Sequence, residues 1–467
     1  MAQVAAWIKA HGGTVTGSDE GVYPPMSDFL RSQGIEVRTP YHAANLVSAD
    51  AVVIGNALSR GNPEVEAALD QRIPFLSLPE LIHSEILRDK WPMVVAGTHG
   101  KTTTTAALAH VLKQADLSGG YLIGGLPIGW DRGFEVDSER WFAIEGDEYD
   151  SAFFDKRPKF LHYQPQVVLL NNIEFDHADI YSSIEDIFTQ FRRLIRLIPR
   201  RGALIANADE PSLQPLLREA CCPVITFGLG TEAQVRGELI KIGSNGMTFR
   251  LHLACGRDLT GRTPLWGERQ LSNLVGAAAA AEFASVTPEK IVAALSSFTG
   301  VQRRLELKFS DNRCWLYDDF AHHPTAVRAT LASLKARHPG LPIFAAFEPR
   351  SNTMVRRHFQ AELTDALRLA DGVVIGKVHR SEKIAPDDCL DVAEIIGELR
   401  GEGKEVFHHP DVDEIVAWLI EKLPREAVIV VMSSGAFSGL VPRLLERLTE
   451  KTINADEVKS DVVVSGT

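Results

Sequence analysis

The chain has 467 residues, with 61 acidic against 49 basic side chains and a formal net charge of −12. This balance argues against a general nucleic-acid-binding surface, and no apolar run approaches the roughly 18 residues that a membrane-spanning helix needs. The five cysteines lack the spacing of a zinc site and do not form a disulfide framework. These features predict a cytoplasmic protein of about three domains, because a domain averages roughly 150 residues.

Residues 1–90 alternate helical and strand signals, which predicts a small α/β domain with a parallel sheet. The opening MAQVAAWIKAHGG is typical of a short amphipathic helix rather than a signal peptide. TVTGSD, at 14–19, predicts a strand, and a further strand is expected at Ala51–Gly55 before a helix from Pro63. Trp91 marks the end of this unit.

The stretch VVAGTHGKTTTT, at 94–105, predicts an apolar strand, a tight loop from Gly97 to Gly100 and a helix from Thr102. Free N–H groups at the start of a helix, together with the helix dipole, favour a bound phosphate. Lys101 would reach the β- and γ-phosphates, and the hydroxyl of Thr102 would bind Mg²⁺. The match to the phosphate-loop pattern is partial, because Val95 stands where that pattern has glycine.

Two later strands in the same unit, predicted at Trp141–Ile144 and Val167–Leu170, are each followed by polar residues. Glu145 follows the first, while His177 lies a few residues beyond the second. In parallel α/β sheets ligands bind beyond the carboxyl ends of strands, so both side chains could converge with Thr102 on Mg²⁺ bridging ATP to an acceptor. A strand-end capping carboxylate and an ordinary loop histidine are the alternatives.

The remainder of the central unit predicts a hairpin around Asn245-Gly246. Two packed helices follow, in LSNLVGAAAAAEF and PEKIVAALSSF. Asn273, near the start of the first, would either contact adenine or cap the helix.

A third α/β unit begins near Gly300. Its predicted strands are Cys314–Asp318, Pro342–Phe347, Gly372–Ile375 and Ala427–Met432. Just before it, Arg303 and Arg304 are either a solvated basic pair or an interdomain contact to the γ-phosphate, for which the planar guanidinium is suited. Periodicity is lost from Glu450, which predicts a disordered tail at 451–467.

The segment LYDDFAHHPTAV places two carboxylates at a strand end, where Asp318 or Asp319 could hold a ribose hydroxyl. His322 and His323 follow directly. Adjacent histidines suggest metal ligands, but neighbours in sequence rarely face one ion, so a metal site is a weak hypothesis here.

Five motifs occur in one order along nearly the whole chain: GTHGKTT, EGDEYDSAFFD, NNIEFDHADIY, GVQRRLE and DDFAHHPTAV. In this the chain resembles the Mur ligase family, the ATP-dependent amide-bond ligases of bacterial cell-wall synthesis. The resemblance implies a three-domain α/β architecture. A Rossmann-like domain at 1–90 would bind the uridine nucleotide, a P-loop ATPase domain would span 91–300, and a Rossmann-like peptide domain would span 301–450.

The resemblance also implies residue roles. Lys101, Glu145, His177 and Arg304 would be catalytic; Thr102 and Glu145 would hold one Mg²⁺ and His177 a second. The implied ATP contacts are Gly97, Thr98, His99, Gly100, Lys101, Thr102, Thr103, Asn273, Arg304 and Asp318 or Asp319. The implied substrate contacts are Ser18, Asp19, Asn56, Ser59, His322, Arg350, Ser351 and Asn352.

Within the family, DDFAHHP resembles the branch that uses UDP-N-acetylmuramate as the carboxylate, with either free L-alanine or a murein tripeptide as the amine. GVYPPMS, FEPRSNTM and VVMSSGAFSGL resemble the tripeptide-adding members. Alanine-adding members typically carry F-Q-P-H-R-Y-T-R, whose arginines grip the carboxylate of alanine; this chain has Ser351 and Met354 at those positions. In a tripeptide the alanine carboxyl is part of a neutral amide. A buried arginine opposite that amide would have no negative partner. Arg350 is left for another carboxylate of the peptide.

The chain departs from the family pattern in two places. The usual first strand and glycine-rich turn for the UDP diphosphate are missing, so either the sequence starts inside the domain or UDP-sugar binding is impaired. No lysine occurs between Lys159 and Lys241, so the carbamylated lysine of some relatives is absent. A P-loop kinase or motor and an inactive sugar-nucleotide sensor are the other function classes considered, and a monomer is the favoured state.

Overall fold

The computed structural model describes residues 1–22, 26–178, 180–243, 245–311 and 313–450, so the predicted tail at 451–467 lies outside the described residues. The strands are β1 Thr16–Ser18, β2 Glu36–Arg38, β3 Val52–Ile54, β4 Phe75–Ser77, β5 Trp91–Ala96, β6 Ser118–Leu122, β7 Phe134–Val136, β8 Trp141–Gly146, β9 Val167–Leu170, β10 Ala203–Asn207, β11 Val224–Gly228, β12 Val235–Gly243, β13 Gly246–His252, β14 Asp258–Thr263, β15 Glu306–Ser310, β16 Cys314–Asp319, β17 Ile343–Phe347, β18 Gly372–Ile375, β19 Glu405–His408 and β20 Ala427–Met432.

The α-helices are α1 Ala2–Ala10, α2 Met26–Ser32, α3 Pro63–Asp70, α4 Leu78–Ile82, α5 Lys101–Gln114, α6 Ile184–Arg196, α7 Gln214–Leu217, α8 Glu268–Phe283, α9 Pro288–Ser297, α10 Pro324–Arg337, α11 Gln360–Leu367, α12 Val392–Gly401 and α13 Val412–Lys422. A last helix covers 440–450. Within the described residues, no helix has the length and apolar character to cross a membrane.

The N-terminal unit contains two separate pairs of parallel strands. β1 pairs with β2, and β3 pairs with β4, but among the described residues no ladder joins one pair to the other. The predicted single parallel sheet is therefore wrong in this respect, because short apolar runs predict strands without recording which strands are neighbours. Ser77 caps α4 in a capping box with Glu80, which fixes where that helix begins.

The central unit is built on a ten-stranded sheet in the order β14-β13-β12-β11-β10-β9-β5-β8-β6-β7. β5 lies between β8 and β9 and is parallel to both. Met93 and Val95 of β5 pack with α5, α8 and α9, whereas Val94 and Ala96 pack with α6 on the opposite face. Burial on both faces explains why β5 is a continuous apolar run. The predicted hairpin is confirmed as the antiparallel pair of β12 and β13.

The C-terminal unit has a six-stranded sheet in the order β15-β16-β20-β17-β18-β19, parallel except for the edge strand β15. Helices α10, α11 and α12 cover one face, and α13 with the helix at 440–450 covers the other. All four strands predicted for this unit are present, with bounds that differ by at most one residue.

The linker into this unit has an unusual backbone. Arg303 and Leu305 have φ of 58° and 54°, values that non-glycine residues rarely adopt. The linker is fixed to the end of β16, because Phe320 N donates to Arg303 O at 2.8 Å and Leu305 N donates to the carboxylate of Asp319. Arg304 is thereby presented between two anchored residues.

Candidate active site

A cleft of about 1070 Å³ opens where the three units meet. Helices α1 and α4 line it from the N-terminal unit, and the loop before α5 and the start of α8 line it from the central unit. The loops that follow β16 and β17 line it from the C-terminal unit.

The loop between β5 and α5 is shaped by two glycines. Gly97 has φ of 132°, and a Cβ there would lie 2.8 Å from Asn172 O. Gly100 has φ of 82°, and a Cβ there would lie 2.5 Å from Asn273 Oδ1. Only glycine fits both positions. The loop is held by His99 N, which donates to Asn172 Oδ1 at 2.8 Å, and it leads into the 14-residue helix α5, an arrangement suited to an anion.

Lys101 is the first residue of α5, one residue before the predicted helix start, and its side chain is only 14% exposed. Its Nζ donates to Gly97 O at 2.6 Å and to both carboxylate oxygens of Glu148, at 3.0 and 2.8 Å. Lys101 is therefore a buried side chain at the start of the helix and not a solvent-facing loop residue. Burial acts to lower the pKa of Lys101, but Glu148 outweighs it and raises that pKa above its usual value.

Thr102, Glu145 and Arg304 meet beside the loop. Thr102 Oγ1 donates to Glu145 Oε1 at 3.0 Å, and Arg304 Nη2 donates to Thr102 Oγ1 at 3.1 Å. Gly124 N donates to the other oxygen of Glu145 at 2.7 Å. The Arg304 guanidinium lies 4.5 Å from the centre of the Phe320 ring. Arg304 therefore crosses from the C-terminal unit into the phosphate loop and is not a solvated linker residue.

His177 shares the carboxylate of Glu148 with Lys101. Its Nε2 is 2.9 Å from Glu148 Oε1, and its ring centre is 4.0 Å from that of Tyr149. Burial acts to lower the pKa of His177, but the hydrogen bond to Glu148 and the charge of Asp176 raise it above its usual value. The structure thus brings His177 to the same cleft as the phosphate loop.

The donor set fits Mg²⁺. The hydroxyl of Thr102 and the carboxylate of Glu145 are oxygen ligands of the kind that this ion prefers, and they lie within hydrogen-bond distance of each other beside the phosphate loop. Glu148 adds a further carboxylate next to His177.

Asn273 lies inside α8, whose N-cap is Gly267, so the capping alternative is excluded. Its Oδ1 accepts from Thr104 Oγ1 at 3.2 Å, and its side chain lines the cleft. Of the two aspartates considered for ribose, Asp319 lines the cleft, whereas Asp318 lies 3.4 Å from Arg303 Nε.

The predicted substrate residues divide into two groups. Ser18 ends β1, Asp19 follows it, and Asn56 and Ser59 follow β3; none of the four is part of the cleft lining. Ser18 Oγ instead accepts from Asn45 Nδ2 at 3.3 Å. His322, Arg350, Ser351 and Asn352 all line the cleft.

Met354, which stands where alanine-adding members have an arginine, is not part of the cleft lining. It is fully buried in the core beneath α10 and α11, and only its backbone N–H reaches Ser351 Oγ, at 3.2 Å. Arg350 has space for its guanidinium because residue 435 is glycine: a Cβ there would lie 2.4 Å from Arg350 Nε. Arg380 lines the same part of the cleft.

Sequence reasoning missed Glu148, which connects Lys101 to His177, and Thr353, whose Oγ1 donates to Asp176 Oδ1 at 2.8 Å across the two units. Glu148 stands in the quoted motif EGDEYD, but nothing in that string marks it as the buried carboxylate. Thr353 lies in FEPRSNTM, where its position in a motif was the only available signal.

The fold and cleft define a nucleotide-binding α/β protein in which Arg304, from the C-terminal unit, contacts the phosphate loop of the central unit. Family models match in three consecutive stretches: "Mur ligase family, catalytic domain" at 1–90, "Mur ligase middle domain" at 95–281 and "Mur ligase, glutamate ligase domain" at 303–435. The chain belongs to the Mur ligase family.

Individual relatives are similar over nearly the full length. The chain is 38% identical over 454 residues to the UDP-N-acetylmuramate–L-alanyl-γ-D-glutamyl-meso-2,6-diaminoheptandioate ligase of Haemophilus influenzae, covering 97% of each chain. It is 30% identical to the UDP-N-acetylmuramate–L-alanine ligase of Chlorobium luteolum, covering 96% of this chain and 94% of the relative. A crystal structure of a murein peptide ligase from Psychrobacter arcticus superposes with a TM-score of 0.72, at 33% identity and 96% coverage of both chains.

Proposed function

We propose that the chain is an ATP-dependent ligase that joins the carboxylate of UDP-N-acetylmuramate to the α-amine of L-alanyl-γ-D-glutamyl-meso-diaminopimelate, releasing ADP and phosphate. The observation that carries the proposal is the contact of Arg304 with Thr102, which places cations from two domains on one phosphate loop. The relative of that activity, at 38% identity over most of both chains, supports the choice of substrates.

In the first chemical step the muramoyl carboxylate attacks the γ-phosphorus of ATP, and ADP leaves. Two anions must approach each other, so charge neutralisation dominates this step. Lys101 and Arg304 supply positive charge beside the loop. Thr102 and Glu145 would hold Mg²⁺, which supplies further neutralisation of the phosphates when it is bound.

In the second step the peptide amine attacks the acyl carbon of the resulting acyl phosphate, and inorganic phosphate leaves. The amine must first lose a proton. His322 and Arg350 line the side of the cleft formed by the C-terminal unit, which is where the peptide would lie in this mechanism. The domain boundaries at residues 90 and 300, the monomeric state and the cytoplasmic location remain predictions.

The tripeptide is favoured over alanine by charge. Arg350, His379 and Arg380 all line the cleft. Burial lowers the pKa of His379, and the charges of the two arginines lower it further. The tripeptide carries several carboxylates, whereas free alanine carries one. Two arginines therefore complement the peptide better than the single amino acid.

The test is release of ADP at saturating ATP and UDP-N-acetylmuramate, with tripeptide and free L-alanine measured in parallel. We expect kcat/KM to favour the tripeptide by at least one to two decades, since a lost charge-assisted contact costs about 1.5–3 kcal/mol. A ratio that favours L-alanine would assign the chain to UDP-N-acetylmuramate–L-alanine ligation instead. ADP release that needs no amine would indicate a kinase or a motor.

A further inference from the structure

Three side chains from separate segments converge at the phosphate loop. They are His99 in the loop, Glu174 after β9, and His323 just before α10. Glu174 Oε2 lies 3.3 Å from His99 Nε2 and 3.5 Å from His323 Nδ1. The ring centres of the two histidines are 4.9 Å apart. The cluster therefore joins the central unit to the C-terminal unit.

His323 is the unexplained member of this cluster. The residue is 4% exposed, and neither of its ring nitrogens has a hydrogen-bond partner of normal geometry among the described residues, although the backbone of Phe175 lies near enough to raise its pKa. Buried polar atoms are almost always satisfied. The adjacent His322 is different, because its Nδ1 lies 3.0 Å from Phe320 O. The two neighbours diverge, and only His323 belongs to the cluster.

The electrostatic surroundings leave both imidazoles available as ligands. Burial lowers the pKa of His99 and that of His323, which favours the neutral form of both rings. Glu174 and Asp176 face the cluster as negative charges, and Arg269 is the opposing positive charge. Thr325 Oγ1 donates to Glu174 Oε2 at 2.7 Å, which orients the carboxylate.

We propose that His99, Glu174 and His323 bind one Zn²⁺ ion, at a site distinct from the Mg²⁺ ligands Thr102 and Glu145. Two neutral imidazoles and a carboxylate are a ligand set that this ion favours. Ligand atoms about 2.0–2.1 Å from a tetrahedral ion lie about 3.3–3.4 Å apart, close to the two distances from Glu174. The partly exposed Glu174, with 29% of its side chain accessible, gives the ion a route in.

The ion would fasten the phosphate loop to the start of α10.

The experiment is calorimetric titration of ZnCl₂ into the full chain without ATP, in buffer containing excess Mg²⁺. Co²⁺ is titrated separately and followed by visible absorption. The variants are His323→Gln and Glu174→Gln. Glu80→Gln is the matched control, because Glu80, Asp155 and His162 form a second acid–histidine group, among the described residues, whose ligand atoms lie within 4.8 Å of one another.

We expect one equivalent of Zn²⁺ to bind the wild-type chain and the Glu80→Gln chain alike. His323→Gln and Glu174→Gln should each weaken binding at least about tenfold and abolish the tetrahedral Co²⁺ bands. Circular dichroism of each variant controls for folding. Tight binding that survives in His323→Gln would overturn the proposal, as would loss of binding in a His177→Gln chain with the cluster intact. Zn²⁺ binding and Co²⁺ absorption are measured without ligase turnover, so a failure of this proposal can be distinguished from a failure of the proposed function.

Discussion

Lys101 Nζ lies 2.8 Å from Glu148 Oε2, and both side chains are buried beneath the phosphate loop. Burial alone would raise the pKa of Glu148, but the ammonium of Lys101 and the bond to His177 hold it below its usual value. The lysine expected to bind phosphate therefore also stabilises the folded chain.

Lys101→Met is expected to abolish ADP release and to destabilise the protein. Removing one partner of a buried ion pair costs about 3–5 kcal/mol, because the other charge is left without its counter-ion. Urea unfolding and the ADP assay measure the two effects. The double variant Lys101→Met/Glu148→Gln is the control: it should recover most of the stability and none of the turnover. Wild-type turnover in folded Lys101→Met would exclude a phosphate-binding role.

Glu145→Gln is expected to raise the Mg²⁺ concentration needed for half-maximal rate at least about tenfold, the effect of disturbing groups around a bound metal. One carboxylate oxygen of Glu145 accepts from Thr102 and the other from Gly124. Replacing the carboxylate by an amide therefore removes a negative charge from this site. Glu135→Gln is the control, since Glu135 pairs with Lys113 outside the cleft. An unchanged Mg²⁺ dependence in Glu145→Gln would place the ion elsewhere.

Thr353→Val is expected to lower kcat/KM for the tripeptide by one to two decades. The hydroxyl donates to Asp176 across the two units, and a hydrogen bond to a charged group contributes about 1.5–3 kcal/mol. Thr353→Ser keeps the donor and should stay within about threefold of wild type. The hypothesis fails if both variants lose activity equally.

Arg350→Ala is expected to raise KM for the tripeptide at least about tenfold, with KM for ATP nearly unchanged, because its guanidinium lines the C-terminal side of the cleft. Arg357→Ala is a matched control, since Arg357 pairs with Asp391 and Glu394 on an exposed surface. Steady-state kinetics with each substrate varied in turn separates the two constants. A larger effect on ATP than on peptide would reassign Arg350.

His338 predicts a pH effect on stability. Burial, with the charge of Arg337, lowers its pKa from 6.5 to about 4, and its Nε2 lies 2.9 Å from Tyr317 Oη. Between these values the unfolded chain binds a proton that the folded chain does not, so stability falls as pH decreases from about 6.5 to about 4. His338→Gln should flatten this part of the curve relative to wild type, as measured by urea unfolding from pH 7 to 4.5. Parallel curves would contradict it.

The inner strands β5, β9, β18 and β20 were predictable because burial on both faces leaves a continuous apolar run between turn residues. Strands β6, β7, β10, β11, β14, β15 and β19 were not predicted. β9, β18 and β20 begin and end at the predicted residues. The placement of Glu145 and His177 at one sheet edge could also be predicted, because β8 and β9 flank β5 and all three are parallel.

Side-chain direction in the loops could not be predicted. Asp147, Glu148 and Asp150 look alike in EGDEYD, and only the arrival of Lys101 and His177 from other segments makes Glu148 the buried one. Met354 stands where alanine-adding relatives have a substrate-binding arginine, but here it is packed in the core beneath the helices that cover β17. Such choices depend on tertiary neighbours that a local pattern does not contain.

The anchored linker has a consequence for the end of the catalytic cycle. Arg304 projects from between Arg303 and Leu305, whose backbones are held to the C-terminal sheet. A rotation of that domain wide enough to release ADP would carry the guanidinium away from Thr102 in the same movement. In such a rotation, the opening that frees ADP would also withdraw the Arg304 guanidinium, so release of the product and loss of the charge that retains it would be coupled.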